Sequence, residues 1–286
     1  MTWLLLDAGN TALKWAFAGA ADPRLLADGT VRLEADFART LSPALQAGLA
    51  SSPGPAPPAS MPDPAGALEA IGCSVASEST TQQVSDAVRR AVGADVRWLL
   101  AQPRFEFRGV GLINGYRDPG QLGADRWHAM VGARQAFPGR ALVVVCAGTA
   151  TTVDWIDAGG RFLGGVIAPG TMLMADSLAQ GTARLPRSAG RAVAAPDNTD
   201  DAIATGIAES LAGLVERRVR ALSQKGEPPQ VVLAGGNLNE LASRLQLGRD
   251  AAGVSIDERL VLRGLWYRAS QPSVTQAPAQ PAPVSR

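Results

Sequence analysis

A chain of 286 residues, 46% hydrophobic and 19% charged, has the composition of a folded globular protein with room for one large or two modest domains. Its 27 basic and 26 acidic residues leave a net charge of +1, which argues against partners gathered by a basic field, such as nucleic acid or anionic lipid. Two cysteines, Cys73 and Cys146, and one histidine, His128, exclude a disulfide framework and a zinc cluster, and put Ser-His and Cys-His hydrolase chemistry at a disadvantage.

The chain opens on an apolar run, Thr2–Leu6, which ends in Asp7-Ala8-Gly9-Asn10-Thr11. Leu13, Trp15 and Phe17 then alternate with Lys14 and Ala16, so the pattern predicts a strand, a tight turn and a second strand. Residues 24–33 supply a third strand and 34–50 a helix. Residues 51–66 are dominated by Pro, Ala, Ser and Gly and read as a surface insertion. A strand over 68–75, a helix over 79–92 and a strand over 95–101 follow. A polar, glycine-rich loop over 114–123 leads into a helix over 124–137. Residues 141–146 form the most apolar strand, followed by Ala147-Gly148-Thr149 and a hairpin over 151–156 and 162–167. A short helix is expected between Gly170 and Thr182, a long one over 199–224, a strand over 231–234 and a last helix over 258–269. Residues 271–286 read as a disordered tail. No apolar run approaches the ~20 residues of a membrane helix, and Met1–Asp7 lacks the basic segment of a secretory leader. A cytoplasmic location is therefore expected, in keeping with two free thiols.

One pattern occurs twice. An apolar strand, Asp7-Ala-Gly-Asn-Thr11 and a strand are matched, half the chain later, by an apolar strand, Cys146-Ala-Gly-Thr149 and a strand. Two copies of one domain facing each other across a cleft account for this economically. A glycine and a threonine between antiparallel strands suit phosphate: glycine lets backbone N–H groups approach an anion, and the hydroxyl adds a donor. Asp7 would face the phosphates through a divalent cation, and Lys14, one of only two lysines, would reach them directly. Taken alone, the same residues also fit a plain hairpin with a solvated lysine. In Gly123-Ala124-Asp125-Arg126, the helix start offers free N–H groups to an anion, with Arg126 to hold it and Asp125 to take a hydroxyl proton. A capping aspartate beside a surface arginine is the plainer alternative. Gly235 and Gly236, after the strand at 231–234, could admit a base or ribose, although strand-Gly-Gly-helix is common.

In combination these segments resemble the type III pantothenate kinases of the acetate and sugar kinase/Hsp70/actin superfamily. Asp7-Ala-Gly-Asn-Thr-Ala-Leu-Lys14 matches the family's first phosphate motif. Asn114-x-Tyr116-x-x-Pro119-x-x-Leu122-Gly123-x-Asp125-Arg126-Trp127 matches its substrate segment, and Gly148-Thr149-Ala150-x-Thr152-x-Asp154 its second phosphate motif. Gly164-Gly165-x-Ile167-x-Pro169-Gly170 and Thr182-Ala183-x-Leu185-Pro186 complete the order.

The resemblance implies an α/β fold of two duplicated ribonuclease H-like domains, each a mixed sheet flanked by helices, over 1–117 and 118–269. It implies ATP-dependent phosphorylation of pantothenate, the first step of coenzyme A biosynthesis. Asp125 would be the general base. Asp7, Ala8, Gly9, Asn10, Thr11, Lys14, Gly148 and Thr149 would hold the ATP phosphates. Tyr116, Gly123, Ala124, Asp125, Arg126 and Thr182 would hold pantothenate. A homodimer is implied, with Mg2+ bound near Asp7 through water. The resemblance also implies a monovalent cation, K+ or NH4+, at a position where the family usually has Asp and this chain has Cys146, a soft and poorly matched ligand. A same-fold kinase of another small alcohol and a non-catalytic regulatory relative are the alternatives.

Overall fold

The computed structural model describes residues 2–52, 68–183, 185–186, 190–224, 226–236 and 238–271. The expected insertion, apart from residues 51 and 52, and the expected tail, apart from residue 271, lie outside the described residues, as do Arg184 and Asn237.

The first sheet comprises β1 (Thr2–Ala8), β2 (Ala12–Gly19), β3 (Leu25–Arg32), β4 (Leu68–Ser74) and β5 (Val96–Trp98), in the order β3-β2-β1-β4-β5. β1 runs antiparallel to β2 and parallel to β4. The second sheet comprises β8 (Leu142–Ala147), β9 (Ala150–Ile156), β10 (Phe162–Pro169), β11 (Gln230–Gly235) and β12 (Gly253–Ile256), in the order β10-β9-β8-β11-β12. β8 is antiparallel to β9 and parallel to β11, so order and strand directions repeat. The duplicated pattern in the sequence is thus a duplicated sheet.

Helices cover both faces of each sheet, which is why the central strands read as unbroken apolar runs. The side-chain period of two sorts each strand between two cores. Leu4, Leu6, Leu13, Trp15 and Phe17 face outward onto α1 (Phe37–Ser51) and α2 (Glu78–Val92). Trp3, Leu5, Ala16 and Ala18 face inward onto α7 (Leu260–Ala269), where Leu262 and Leu265 are fully buried. Burying each of those leucines contributes roughly 1.5–3 kcal/mol. In the second half Val143, Val145 and Val153 pack outward against α5 (Thr199–Ser223), while Val144 and Ile156 pack inward on Trp127 of α3 (Ala124–Ala136). α3 and α7 lie against each other between the sheets.

That parity fixes the site. Asp7 shares the inward face with Leu5, and Lys14 with Ala16; Cys146 shares it with Val144, and Thr152 and Asp154 with Ile156. β11 ends against the second turn, where Gly235 has φ +126° and a Cβ would overlap the Ala147 carbonyl. Only glycine fits there.

The expected strand over 95–101 shortens to β5, and the helix expected from 34 begins at Phe37, after a turn closed by Phe37 N–H onto Glu34 O. The hairpin of β6 (Arg104–Phe107) and β7 (Val110–Ile113), and the edge strand β12, are four residues each, too short for their alternation to stand out in the sequence. α4 (Thr171–Gly181) and α6 (Leu238–Arg244) complete the chain.

Candidate active site

The two glycine turns meet. Gly9 N–H closes the first onto Ala12 O at 3.0 Å, and Gly148 N–H closes the second, one residue shorter, onto Ala150 O at 3.1 Å. Thr11 and Thr149 stand at matching places in the two turns, and their hydroxyl oxygens are 2.7 Å apart. Directly behind the first turn Asp7 is paired in register with Lys14; behind the second, Cys146 is paired with Thr152. Lys14 Nζ donates to the Glu258 carbonyl at 3.1 Å, tying the first sheet to the residue two before α7. Arg259, next in sequence, donates to Asp28 Oδ2 at 2.5 Å and Thr30 Oγ1 at 3.1 Å on β3.

Asp125 lies in the first turn of α3, where its Oδ1 accepts the Arg126 N–H at 2.8 Å. Burial pushes its carboxyl above the ordinary aspartate range, while the Arg126 N–H and charge oppose that rise. The Asp7 carboxyl rises to about 7, first because it is buried and then because the Asp125 charge lies close; Lys14 and a Cys73 S–H at 3.9 Å pull it back. Two carboxylates therefore face one desolvated space, an arrangement that collects at functional sites.

Arg126 is buried and forms a forked pair with Asp154, with Nε donating to Oδ2 at 3.0 Å and Nη2 to Oδ1. Its Nη1 donates to the Tyr116 hydroxyl at 3.2 Å. The Tyr116 ring leans on Phe162, with centroids 5.2 Å apart, and its N–H donates to Asn114 Oδ1 at 3.1 Å. Asn114 Nδ2 donates in turn to Pro119 O at 3.2 Å, so the loop over 114–123 is a braced structure.

The fold thus gathers Asp7, Lys14, Tyr116, Asp125 and Arg126 around one centre, with Thr11 and Thr149 touching and Ala8, Gly9, Asn10, Gly123, Ala124 and Gly148 in the adjoining turns. Thr182 stands apart: it caps the exposed end of α4, donating to Leu178 O at 2.8 Å, and among the described residues its hydrogen bonds stay within 178–185. His128 is fully buried, with Nδ1 bonded to Ala124 O at 2.7 Å, and burial lowers its pKa to about 4. It is a neutral packing residue. Sequence reasoning missed Cys73 and gave Asp154 no role of its own. The parity of β4 relative to β1 is the signal for Cys73; the partner of Asp154 is 28 residues away and leaves no local trace.

A narrow cleft opens beside the second turn, lined by Ala147, Gly148, Thr151, Thr171, Ala208 and Leu211 among others. Its apolar walls end at the glycine turn, the form of a nucleoside site leading to a phosphate site. The donor set suits magnesium, which binds through one or two carboxylates and completes its shell with phosphate oxygens and water. Asp7 is pushed up by burial and by the Asp125 charge, and a divalent ion held beside it would relieve both. At Cys146 the donors do not fit a hard monovalent ion. Burial and the charges of Asp125, Asp154 and Asp7 push the thiol strongly up, so it stays neutral.

Two like sheets whose glycine turns meet at a cleft, with a half-buried aspartate at the start of a helix between them, form the two-lobed architecture shared by actin and the sugar kinases. Solved structures with this fold include a Sinorhizobium meliloti protein described as a 2-dehydro-3-deoxygalactonokinase, 16% identical with a TM-score of 0.50, covering 94% of this chain and 97% of that one. The ethanolamine utilization protein EutJ of Carboxydothermus hydrogenoformans is 11% identical with a TM-score of 0.50, covering 93% and 89%. The sequence model of the type III pantothenate kinases matches residues 3–221. Type III pantothenate kinase of Laribacter hongkongensis is 40% identical over 93% of this chain and 98% of its own length; that of Paracidovorax citrulli is 41% identical over 95% and 99%. The chain belongs to the type III pantothenate kinase family, whose members phosphorylate pantothenate in coenzyme A biosynthesis.

Proposed function

We propose that this chain transfers the γ-phosphoryl group of ATP to the primary hydroxyl of pantothenate, with Asp125 as the general base. The observation that carries the reading is the half-buried Asp125 carboxylate at the start of α3, set among Asp7, Lys14 and the Arg126–Tyr116 pair. Asp125 takes the hydroxyl proton as the oxygen attacks phosphorus in line, and the bond to the ADP oxygen breaks as the new one forms. Transfer of this kind rests mainly on positioning and charge neutralisation. Lys14 exchanges the Glu258 carbonyl for a phosphate oxygen, Thr11 and Thr149 donate from the two turns, and adenosine enters at the cleft beside the second turn. Magnesium, near Asp7, supplies charge neutralisation on the phosphates. Arg126 and Tyr116 hold the pantothenate carboxylate.

The neutral Cys146–Thr152 pair supports a weaker dependence on K+ or NH4+ than an aspartate at this position would bring. A homodimer is supported by apolar side chains left bare along the edge strand β10 and α4: Leu163, Ile167, Met172 and Leu173. Thr182, at the end of the same helix, would then serve near the subunit boundary. We place the boundary between halves near residue 118 and the protein in the cytoplasm, consistent with two free thiols and with no described helix long and apolar enough to cross a membrane. The test is growth of a strain without pantothenate kinase activity. The wild-type gene should restore growth and Asp125→Asn should not; no rescue by the well-expressed wild type would defeat the reading.

A further inference from the structure

Asp154 lies five residues past Thr149, close in sequence to the second phosphate turn, yet it does not serve that turn. It sits on β9 opposite Val144 and Gly165, and its carboxylate closes a fork on Arg126. Both partners are buried, with side-chain exposures of 6% and 1%, so the pair is shielded from solvent competition. The Nε and Nη2 edge of Arg126 is committed to Asp154, and Nη1 points to the Tyr116 hydroxyl. The rings of Tyr116 and Phe162 flank the guanidinium, with centroids 5.7 and 6.0 Å from Cζ. Gly165 completes the seat: a Cβ there would overlap Asp154 Oδ1 and lie 2.5 Å from Arg126 Nη2.

We infer that Asp154 is a positioning residue: it fixes the plane of Arg126 so that the Nη1 edge, with Tyr116, is presented to the carboxylate of the acceptor substrate. The inference rests on the reading that Arg126 holds pantothenate. A guanidinium on a flexible stem recognises a carboxylate well only when its plane is set beforehand. Asp154 sets it from the side that substrate does not use, without touching substrate, nucleotide or the reacting oxygen.

The full-length Asp154→Asn variant keeps the size of the side chain and removes the charge-assisted fork. Its KM for pantothenate should rise about 10–100-fold, the equivalent of one charged hydrogen bond. kcat and the KM for ATP should stay within about threefold, since an interaction common to ground and transition states is the one being loosened. Gly165→Ala displaces the same pair with both charges kept, leaves no buried charge orphaned, and should give the same one-sided rise. It also decides the matter should Asp154→Asn not fold, as judged by its melting curve. A folded variant whose pantothenate KM matches wild type overturns the inference, as does an equal loss in kcat with both KM values unchanged. Wild-type protein that does not phosphorylate pantothenate at all would instead overturn the functional reading beneath it.

Discussion

The two halves share one sheet and differ in what they place behind the turn. In the first, Asp7 faces Lys14 across β1 and β2; in the second, Cys146 faces Thr152 across β8 and β9. A charged pair in one copy is a neutral pair in the other, at the same place in the same topology. Thr152 Oγ1 is buried with no hydrogen-bond partner, whereas Lys14 crosses the cleft to Glu258 O. The duplication thus supplies two walls of similar shape but places the charge on one, and Asp125, from α3 between them, adds to that side. A duplicated fold makes a cleft by symmetry and an active site by breaking the symmetry.

The largest effect should come from the group between the walls. Asp125→Asn should reduce kcat by ~10²–10⁴-fold, the usual share of a general base, while ATP binding by calorimetry is kept. Because burial destabilises the ionised Asp125, the same variant should melt at a higher temperature than wild type. Next come the paired positions. Lys14→Met should raise the KM for ATP roughly 10–100-fold through loss of a charge-assisted bond to phosphate. Thr152→Val, at the matching place in the neutral wall, should leave that KM near wild type; equal losses in both would break the asymmetry.

Making the walls alike should change the ion requirement. Wild-type turnover should persist in buffer free of potassium, sodium and ammonium, whereas Cys146→Asp, with a further carboxylate in the buried space, should fall there and recover as potassium is added. Wild-type activity that vanishes without potassium contradicts this.

The smallest effect is in stability against pH, without nucleotide or magnesium. Asp7 binds its proton more tightly folded, near 7, than unfolded, near 3.8, so stability is regained as pH falls from about 7 to about 4. His128 binds its proton more weakly folded, near 4, than unfolded, near 6.5, so stability is lost as pH falls between those values. The two slopes oppose each other, and Asp125 and Asp154, whose carboxyls burial also raises, add to the Asp7 side. Relative to wild type, Asp7→Asn should lower the melting temperature at pH 4.5 against that at pH 6.5, and His128→Gln should raise it.

Both apolar central strands and both glycine turns were legible because a buried strand and a tight turn leave local marks: Leu4-Leu5-Leu6, Val143-Val144-Val145, Gly9, Gly148. Asp125 was legible from the helix start that holds it. The hairpin of β6 and β7 was not, because its strands are four residues each and its turn puts Arg108, not only Gly109, at positive φ. Cys73 and the Asp154–Arg126 fork were not legible either, since each depends on which strand lies beside which. That is a property of the assembled sheet, and its sequence separations, 66 and 28 residues, exceed any local pattern.

The central claim is phosphoryl transfer to pantothenate, and the most direct measurement is the product itself. Purified chain, incubated with magnesium, ATP and pantothenate, should yield ADP and 4′-phosphopantothenate in equal amounts by mass spectrometry, and Asp125→Asn should yield almost none of either. ADP formed without phosphopantothenate, or a phosphorylated product appearing only when another alcohol replaces pantothenate, would contradict the account.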